Sequence, residues 1–298
     1  MLTKIEHNPT QVLIVEKLKA YFELFKPRLT ALVSFSAAFG YLMAVRHNFN
    51  WISFTGLIFG GFCVSGCGIM INQMLERNID KLMQRTQNRP LPSLRVGVVE
   101  VFYVAFITGL IGFFTLALTT NYQVLVLSML SLVLYSFVYT PCKRIGSFAV
   151  YVGAIPGALP PVLGWVAVTN SLDIGALLLF LLQFVWQFPH FWAIAWVLDD
   201  DYQKANFRLL PLSSGRTLGS ALYILFGNLL LIPIGLLPAY FGFTGYSSAV
   251  IAVLFGVLFT IPSVLLLRKL EHKMALAIMF SSFIYLPVVQ IAFLLDKL

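Results

Sequence analysis

Residues 71–93, INQMLERNIDKLMQRTQNRPLPS, gather an unusual density of chemistry-bearing side chains in an otherwise apolar chain. Asn72, Glu76 and Asp80 recur every four residues. Four residues of helix turn through about 400°, so each step drifts by only about 40° and the three side chains form one stripe roughly 12 Å long. Such a row offers hard oxygen ligands to a divalent cation. Mg²⁺ suits it, keeping several waters and taking one or two carboxylates together with the oxygens of a substrate phosphate. Arg77, Lys81, Arg85 and Arg89 follow with the same spacing, and guanidinium groups grip phosphate oxygens in bidentate fashion. Metal plus arginines points to a diphosphate. The plainer alternative is a solvated helix end whose charges pair locally, Arg77 with Asp80 or Asp80 with Gln84.

A second cluster favours the first reading. WQFPHFWAIAWVLDDDYQKANFRLLP, residues 186–211, carries Asp199, Asp200 and Asp201 on a rim otherwise rich in cations. Metal ions would neutralise three adjacent acids. Apolar span, acidic end and basic loop thus occur twice, about 120 residues apart. Two pseudo-repeated halves facing each other across a pocket would produce this layout.

The elements that must hold these residues follow from composition. With 59% apolar residues, 27 Phe, and only 20 Lys and Arg and 12 Asp and Glu in 298, the chain reads as an integral membrane protein. A bilayer core about 30 Å thick needs roughly 20 apolar residues per helical span. Nine such spans can be cut, at approximately 29–46, 51–75, 98–118, 122–140, 148–168, 174–197, 217–238, 243–266 and 274–295. They are continuously apolar, unlike the alternating strands of a membrane barrel, so the class is all-α. Residues 1–28 lack the compact apolar stretch and cleavage site of a secretory signal. With Val12, Val15, Leu18, Tyr21, Phe22 and Phe25 on one side, they are expected to form an amphipathic segment on the membrane surface, ahead of one membrane-embedded domain over 29–298.

Cations set the orientation. Five Lys and Arg precede the first span, and five, two, three and three lie in the even-numbered connections, leaving only Arg46 and Lys297 opposite. The positive-inside rule places the N-terminus and those connections in the cytoplasm. The net charge of +8 is accounted for by topology, with no nucleic acid required.

Several segments together carry a resemblance: NQMLERNID (72–80), RTQNRPLP (85–92), YTPCKR (139–144), PGALPP (156–161) and WQFPHF (186–191) ahead of Asp201 and Tyr202. In this order, from about Lys26 to the last span, they resemble the intramembrane UbiA-type prenyltransferases, and within these the haem-farnesylating branch. The resemblance implies a helical bundle around a central cavity opening toward the cytoplasm. It implies that Asn72, Glu76 and Asp80 hold Mg²⁺ on the diphosphate of farnesyl diphosphate. Asp200 and Asp201 would supply the second acidic site, with Asp201 a metal ligand. Arg77, Arg85, Arg89, Lys143, Arg144 and Tyr139 would line the substrate. Haem B would be the acceptor and haem O the product, with haem A synthase or oxidase assembly factors as candidate partners. The setting would be a bacterial inner membrane. Val197 stands where quinone-type relatives carry an acid, which points away from a quinone acceptor.

His190 lies inside an apolar span, where an imidazole needs a partner or a cavity. It is a candidate for contact with the haem iron or a propionate; alternatively it bonds a carbonyl freed by Pro189. Cys63 and Cys67 share a face without companion ligands and read as small packing residues, as do the glycines of FGGFCVSGCG (59–68). GAIPGALPPVLGW (153–165) is expected to break the fifth span and to shape the acceptor pocket. Two alternatives remain: a related prenyltransferase acting on a quinone precursor or another tetrapyrrole, and a transporter with broken helices. A carrier would work without Mg²⁺ and leave prenyl diphosphates intact.

Overall fold

The computed structural model describes residues 9–298, with side chains from residue 15 onward. The elements are helical: α1 (Pro9–Phe25), α2 (Pro27–Ala44), α3 (Trp51–Asp80), α4 (Val98–Thr119) and α5 (Tyr122–Val133). This last helix runs through a π-helical turn (Leu134–Tyr139) into α6 (Thr140–Cys142). There follow α7 (Phe148–Thr169), α8 (Ile174–Val197), α9 (Asp199–Lys204), α10 (Leu218–Tyr240), α11 (Tyr246–Lys269) and α12 (His272–Leu295). Among the described residues, eight helices are long and apolar enough to cross a membrane. The remaining expected span, α2, opens with Pro27 and Arg28 and carries Ser34 and Ser36, both buried. The chain is a multi-pass helical membrane protein.

Short polar residues start the spans where the hydropathy changes. The side chains of Asn50, Asn121 and Asp173 accept hydrogen bonds from the first free amides of α3, α5 and α8, satisfying donors that a helix start leaves unpaired. The second span runs to Asp80, five residues past its expected end. The whole acidic stripe therefore rides on one unbroken helix.

Glycines set the closest contacts. A Cβ on Gly112 would come within 2.9 Å of the Gly60 carbonyl, so α3 and α4 meet backbone to backbone through the small-residue run at 59–68. Gly40 and Gly164 do the same for α2 and α7, where a Cβ would fall 1.8 Å from the Pro161 oxygen and 1.9 Å from the Ala37 oxygen. The expected break at 153–165 does not occur. Helix α7 passes through Pro156, Pro160 and Pro161 without interruption. Pro160 cannot donate to the carbonyl four residues back, and that Pro156 oxygen instead accepts from Ser131 Oγ at 3.4 Å.

Helix α1 splits its apolar residues between two sides. Ala20 and Leu24 are buried, with Tyr21 and Phe25 packed beside them, whereas Val15, Leu18 and Phe22 are exposed; the Val12 side chain lies outside the described residues. Gln73 Nε2 donates to the Leu24 carbonyl at 2.7 Å, tying α1 to α3. Glu23 pairs with Arg95, and Lys17 with Glu100 at 3.0 Å.

Candidate active site

Asn72, Glu76 and Asp80 all face inward on α3, 3%, 5% and 0% exposed. Burying carboxylates is costly unless they are paired, and each has a cation. Glu76 Oε1 meets Lys143 Nζ at 2.9 Å, and Asp80 Oδ2 meets Arg89 Nη1 at 2.7 Å. Asp80 Oδ1 is sealed from solvent and, among the described residues, accepts no hydrogen bond. Asn72 donates through Nδ2 to Thr140 Oγ1 at 2.8 Å, and no donor among the described residues meets its carbonyl oxygen.

Thr140 reaches Asn72 because of the π-helical turn before it. Its hydroxyl donates to the Tyr135 carbonyl five residues back, at 2.9 Å, the wider spacing of a π turn. The same turn leads into Lys143, whose ammonium also sits 4.6 Å from the centre of the Tyr139 ring, a cation–π contact. Burial works against the Lys143 charge, but Tyr139 and Glu76 outweigh it and raise its pKa.

The second acidic cluster divides. Asp201 crosses to the loop after α3, accepting from the Gln84 amide at 2.8 Å and the Arg85 amide at 3.2 Å, with Lys204 Nζ at 3.3 Å. Burial raises its pKa, but these donors lower it further, leaving the carboxyl below its ordinary range. Asp200 points outward, 80% exposed, in a two-pronged pair with Arg216 at 3.1 Å. Asp199 is buried and held by Gln203 at 2.9 Å. Arg77 and Arg144 turn away from the stripe, donating to the carbonyls of Met74 and Leu75 at 3.2 and 3.5 Å. Arg85 commits its amide to Asp201 and leaves its side chain exposed. The locally paired alternative, Arg77 to Asp80, is not what forms: the partner of Asp80 is Arg89.

One residue escaped the sequence reading. Lys26, at the joint between α1 and α2, has a left-handed backbone with φ 45°. Burial, reinforced by Arg89 and Lys143 and opposed by Asp80, pushes its pKa down to about 7. A third cation therefore stands within electrostatic reach of the stripe. The signal in the sequence was the Lys-Pro step that forces a joint there, but nothing in its spacing linked it to residues 72–80.

The donor set fits Mg²⁺. Two carboxylates and an amide oxygen are all hard ligands, and a sealed, unpartnered carboxylate oxygen is the kind of atom that a cation satisfies. Among the described residues no three His, Cys, Asp or Glu side chains converge, so a metal here would take the Asn72 amide, waters or substrate oxygens as further ligands. Hollows of about 370 Å³ between α10 and α11 and about 360 Å³ beside Asp199 lie away from the stripe, where Lys143 and Arg89 stand directly against the carboxylates.

Known proteins share both sequence and architecture with this chain. A protoheme IX farnesyltransferase of Cytophaga hutchinsonii is 45% identical over 96% of this chain and 100% of its own length. One of Flavobacterium psychrophilum is 40% identical over 92% and 93%. Among solved structures, a digeranylgeranylglyceryl phosphate synthase superposes with a TM-score of 0.78 at 20% identity, covering 94% of this chain and 98% of its own. A UbiA homolog from Archaeoglobus fulgidus bound to GPP and Mg²⁺ superposes with a TM-score of 0.68 at 12% identity, covering 90% and 99%. At those identities the two structures bear on the fold alone. Residues 33–286 match the UbiA prenyltransferase family, and with the full-length relatives this establishes that the chain belongs to that family.

Proposed function

We propose that this protein transfers the farnesyl group of farnesyl diphosphate to a vinyl group of haem B, with addition of water, giving haem O and diphosphate. The observation that carries the reading is the stripe on α3, whose Asp80 Oδ1 is sealed and unpartnered beside Arg89, Lys143 and Lys26. The acceptor is taken from the full-length relatives, whose name is protoheme IX farnesyltransferase.

Asn72, Glu76 and Asp80 hold Mg²⁺, with Asp201 the candidate from the second half. Bound there, Mg²⁺ supplies Lewis-acid stabilisation of the charge that builds on the departing diphosphate. Lys143, Arg89, Arg85 and Lys26 take the remaining phosphate oxygens, exchanging carboxylate partners for phosphate. The C–O bond breaks with its electron pair on the diphosphate, and Tyr139 and Tyr135 present aromatic faces beside the allylic cation. The vinyl π electrons form the new C–C bond. Water captures the resulting cation and loses a proton, leaving the hydroxyl of the hydroxyethylfarnesyl chain. Haem O then serves an oxidase directly or passes to haem A synthase, which makes those proteins the expected partners. The site faces the cytoplasmic side of a bacterial inner membrane.

The test is product analysis by mass spectrometry after incubating the purified protein with haem B, farnesyl diphosphate and Mg²⁺, beside a chelated control. A haem that gains farnesyl plus water only with metal is expected. An unchanged haem from folded protein sinks the acceptor assignment, and turnover in chelator sinks the metal. Asp80→Asn, kept folded, should lower transfer by about 100-fold or more, the scale of losing one transition-state charge stabiliser.

A further inference from the structure

His190 is buried in α8, 7% exposed, and is not part of the diphosphate site. It lies seven residues before Val197, two helical turns, and so about 10 Å from the end of α8 that leads into α9 and Asp201. The carbonyl freed by Pro189 is not its partner. Instead, its Nδ1 lies 2.7 Å from Ser282 Oγ on α12.

That contact decides the imidazole's tautomer. A serine hydroxyl has one hydrogen, and Ser282 donates it to the carbonyl of Met279, a group that can only accept. Toward His190 the hydroxyl must therefore accept, so Nδ1 carries the ring proton and Nε2 carries a lone pair. Nε2 has no hydrogen-bond partner among the described residues, yet it is not sealed off. The ring is also held in orientation. Trp186 stacks on it at 4.7 Å with planes 13° apart, while donating its indole N–H to the Ser282 carbonyl at 3.0 Å. Phe283 closes the other approach edge-on at 5.0 Å.

A neutral imidazole with a fixed N–H on one nitrogen and a bare lone pair on the other is the arrangement of a metal-ligating histidine. An ionisable group kept inside a membrane span and pre-oriented in this way calls for a function. We propose that His190 Nε2 binds the iron of the haem acceptor, with Ser282 the positioning residue that keeps its proton on Nδ1. The inference rests on the haem reading above. Ligation would anchor the macrocycle about two helical turns below the acidic rim, so that its vinyl edge can be presented to the allylic carbon. The bond is a reversible Fe–N coordination in which the Nε2 lone pair is shared with the iron and no electron is transferred.

The test is titration of ferric haem B into the full-length protein in detergent, without farnesyl diphosphate, followed by optical absorption and electron paramagnetic resonance. The wild type should give a histidine-ligated spectrum. His190→Ala should lose it and regain it with added imidazole. Ser282→Ala should weaken haem binding by about 10- to 100-fold, the usual effect of removing a ligand's hydrogen-bond partner, and Ser282→Thr should retain it. Thermal melting of each variant in the absence of haem shows whether it is folded. An unaltered spectrum in folded His190→Ala overturns the ligation even if farnesyl transfer proceeds. Wild-type affinity in Ser282→Ala overturns the positioning role. A folded wild type that neither binds nor farnesylates haem overturns this inference together with the acceptor reading.

Discussion

At the scale of single residues, the three stripe positions were legible because they lie on one helix, where spacing alone dictates a shared face. Their partners were not. Thr140 and Lys143 come from the turn after α5, Arg89 from the loop beyond α3, and Lys26 from the joint ahead of the first span. Gln73, inside the motif, has a structural task, holding the Leu24 carbonyl of α1. Lys26 carries the most direct pH dependence. With its pKa near 7, it is protonated below that value and neutral above it, whereas a bound diphosphate favours the ammonium. Binding above pH 7 therefore requires proton uptake, and farnesyl diphosphate affinity should fall by up to about tenfold per pH unit there. Lys26→Met should bind more weakly at pH 6.5 and lose that slope, as measured by KM across pH 6–9. A slope unchanged in the variant would remove Lys26 from the site.

At the scale of elements, two contacts carry predictions. The α2–α7 crossing has no room for a side chain at Gly40 or Gly164, where the obstructing atoms are backbone. Gly164→Ala should cost about 1–3 kcal/mol, as overpacking does, read as a lower melting temperature in detergent; Gly61→Ala, where a Cβ meets open space, is the control. The second contact is Asp201 against the amides of residues 84 and 85, which joins α9 to the loop after α3. Its carboxyl pKa is lowered on folding. The stability it contributes is therefore fully present above the unfolded value of about 3.9 and is lost as pH falls through the lower folded value. Asp201→Asn should flatten that acid limb and lower stability at neutral pH by about 1 kcal/mol or more, since it leaves a charged hydrogen-bond acceptor replaced by a neutral one.

At the scale of the whole molecule, orientation follows from the distribution of cations, and it can be measured. Single cysteines placed at Lys204 or Arg95 in a protein freed of Cys63, Cys67 and Cys142 should be labelled by a membrane-impermeant reagent only from the cytoplasmic side. Those placed at Asn170 or Gly242 should be labelled only from the opposite side. The reverse pattern would put the acidic stripe on the outer face and exclude a cytoplasmic supply of farnesyl diphosphate.

What the amino-acid sequence determined by itself was whatever depends on local composition and on the period of one helix. That includes the membrane class, the positions of the spans to within a few residues, and the row formed by Asn72, Glu76 and Asp80. Its motifs also carried the family. The tertiary structure decided the rest, because those outcomes depend on which segments meet. Helix α7 stays whole through three prolines, with Ser131 answering one of the freed carbonyls. Asp201 turns to the loop after α3 while Asp200 turns outward. His190 finds a serine 92 residues away. No spacing along the chain encodes these pairings; each follows from burial, which leaves a polar group only the partners that packing brings within reach.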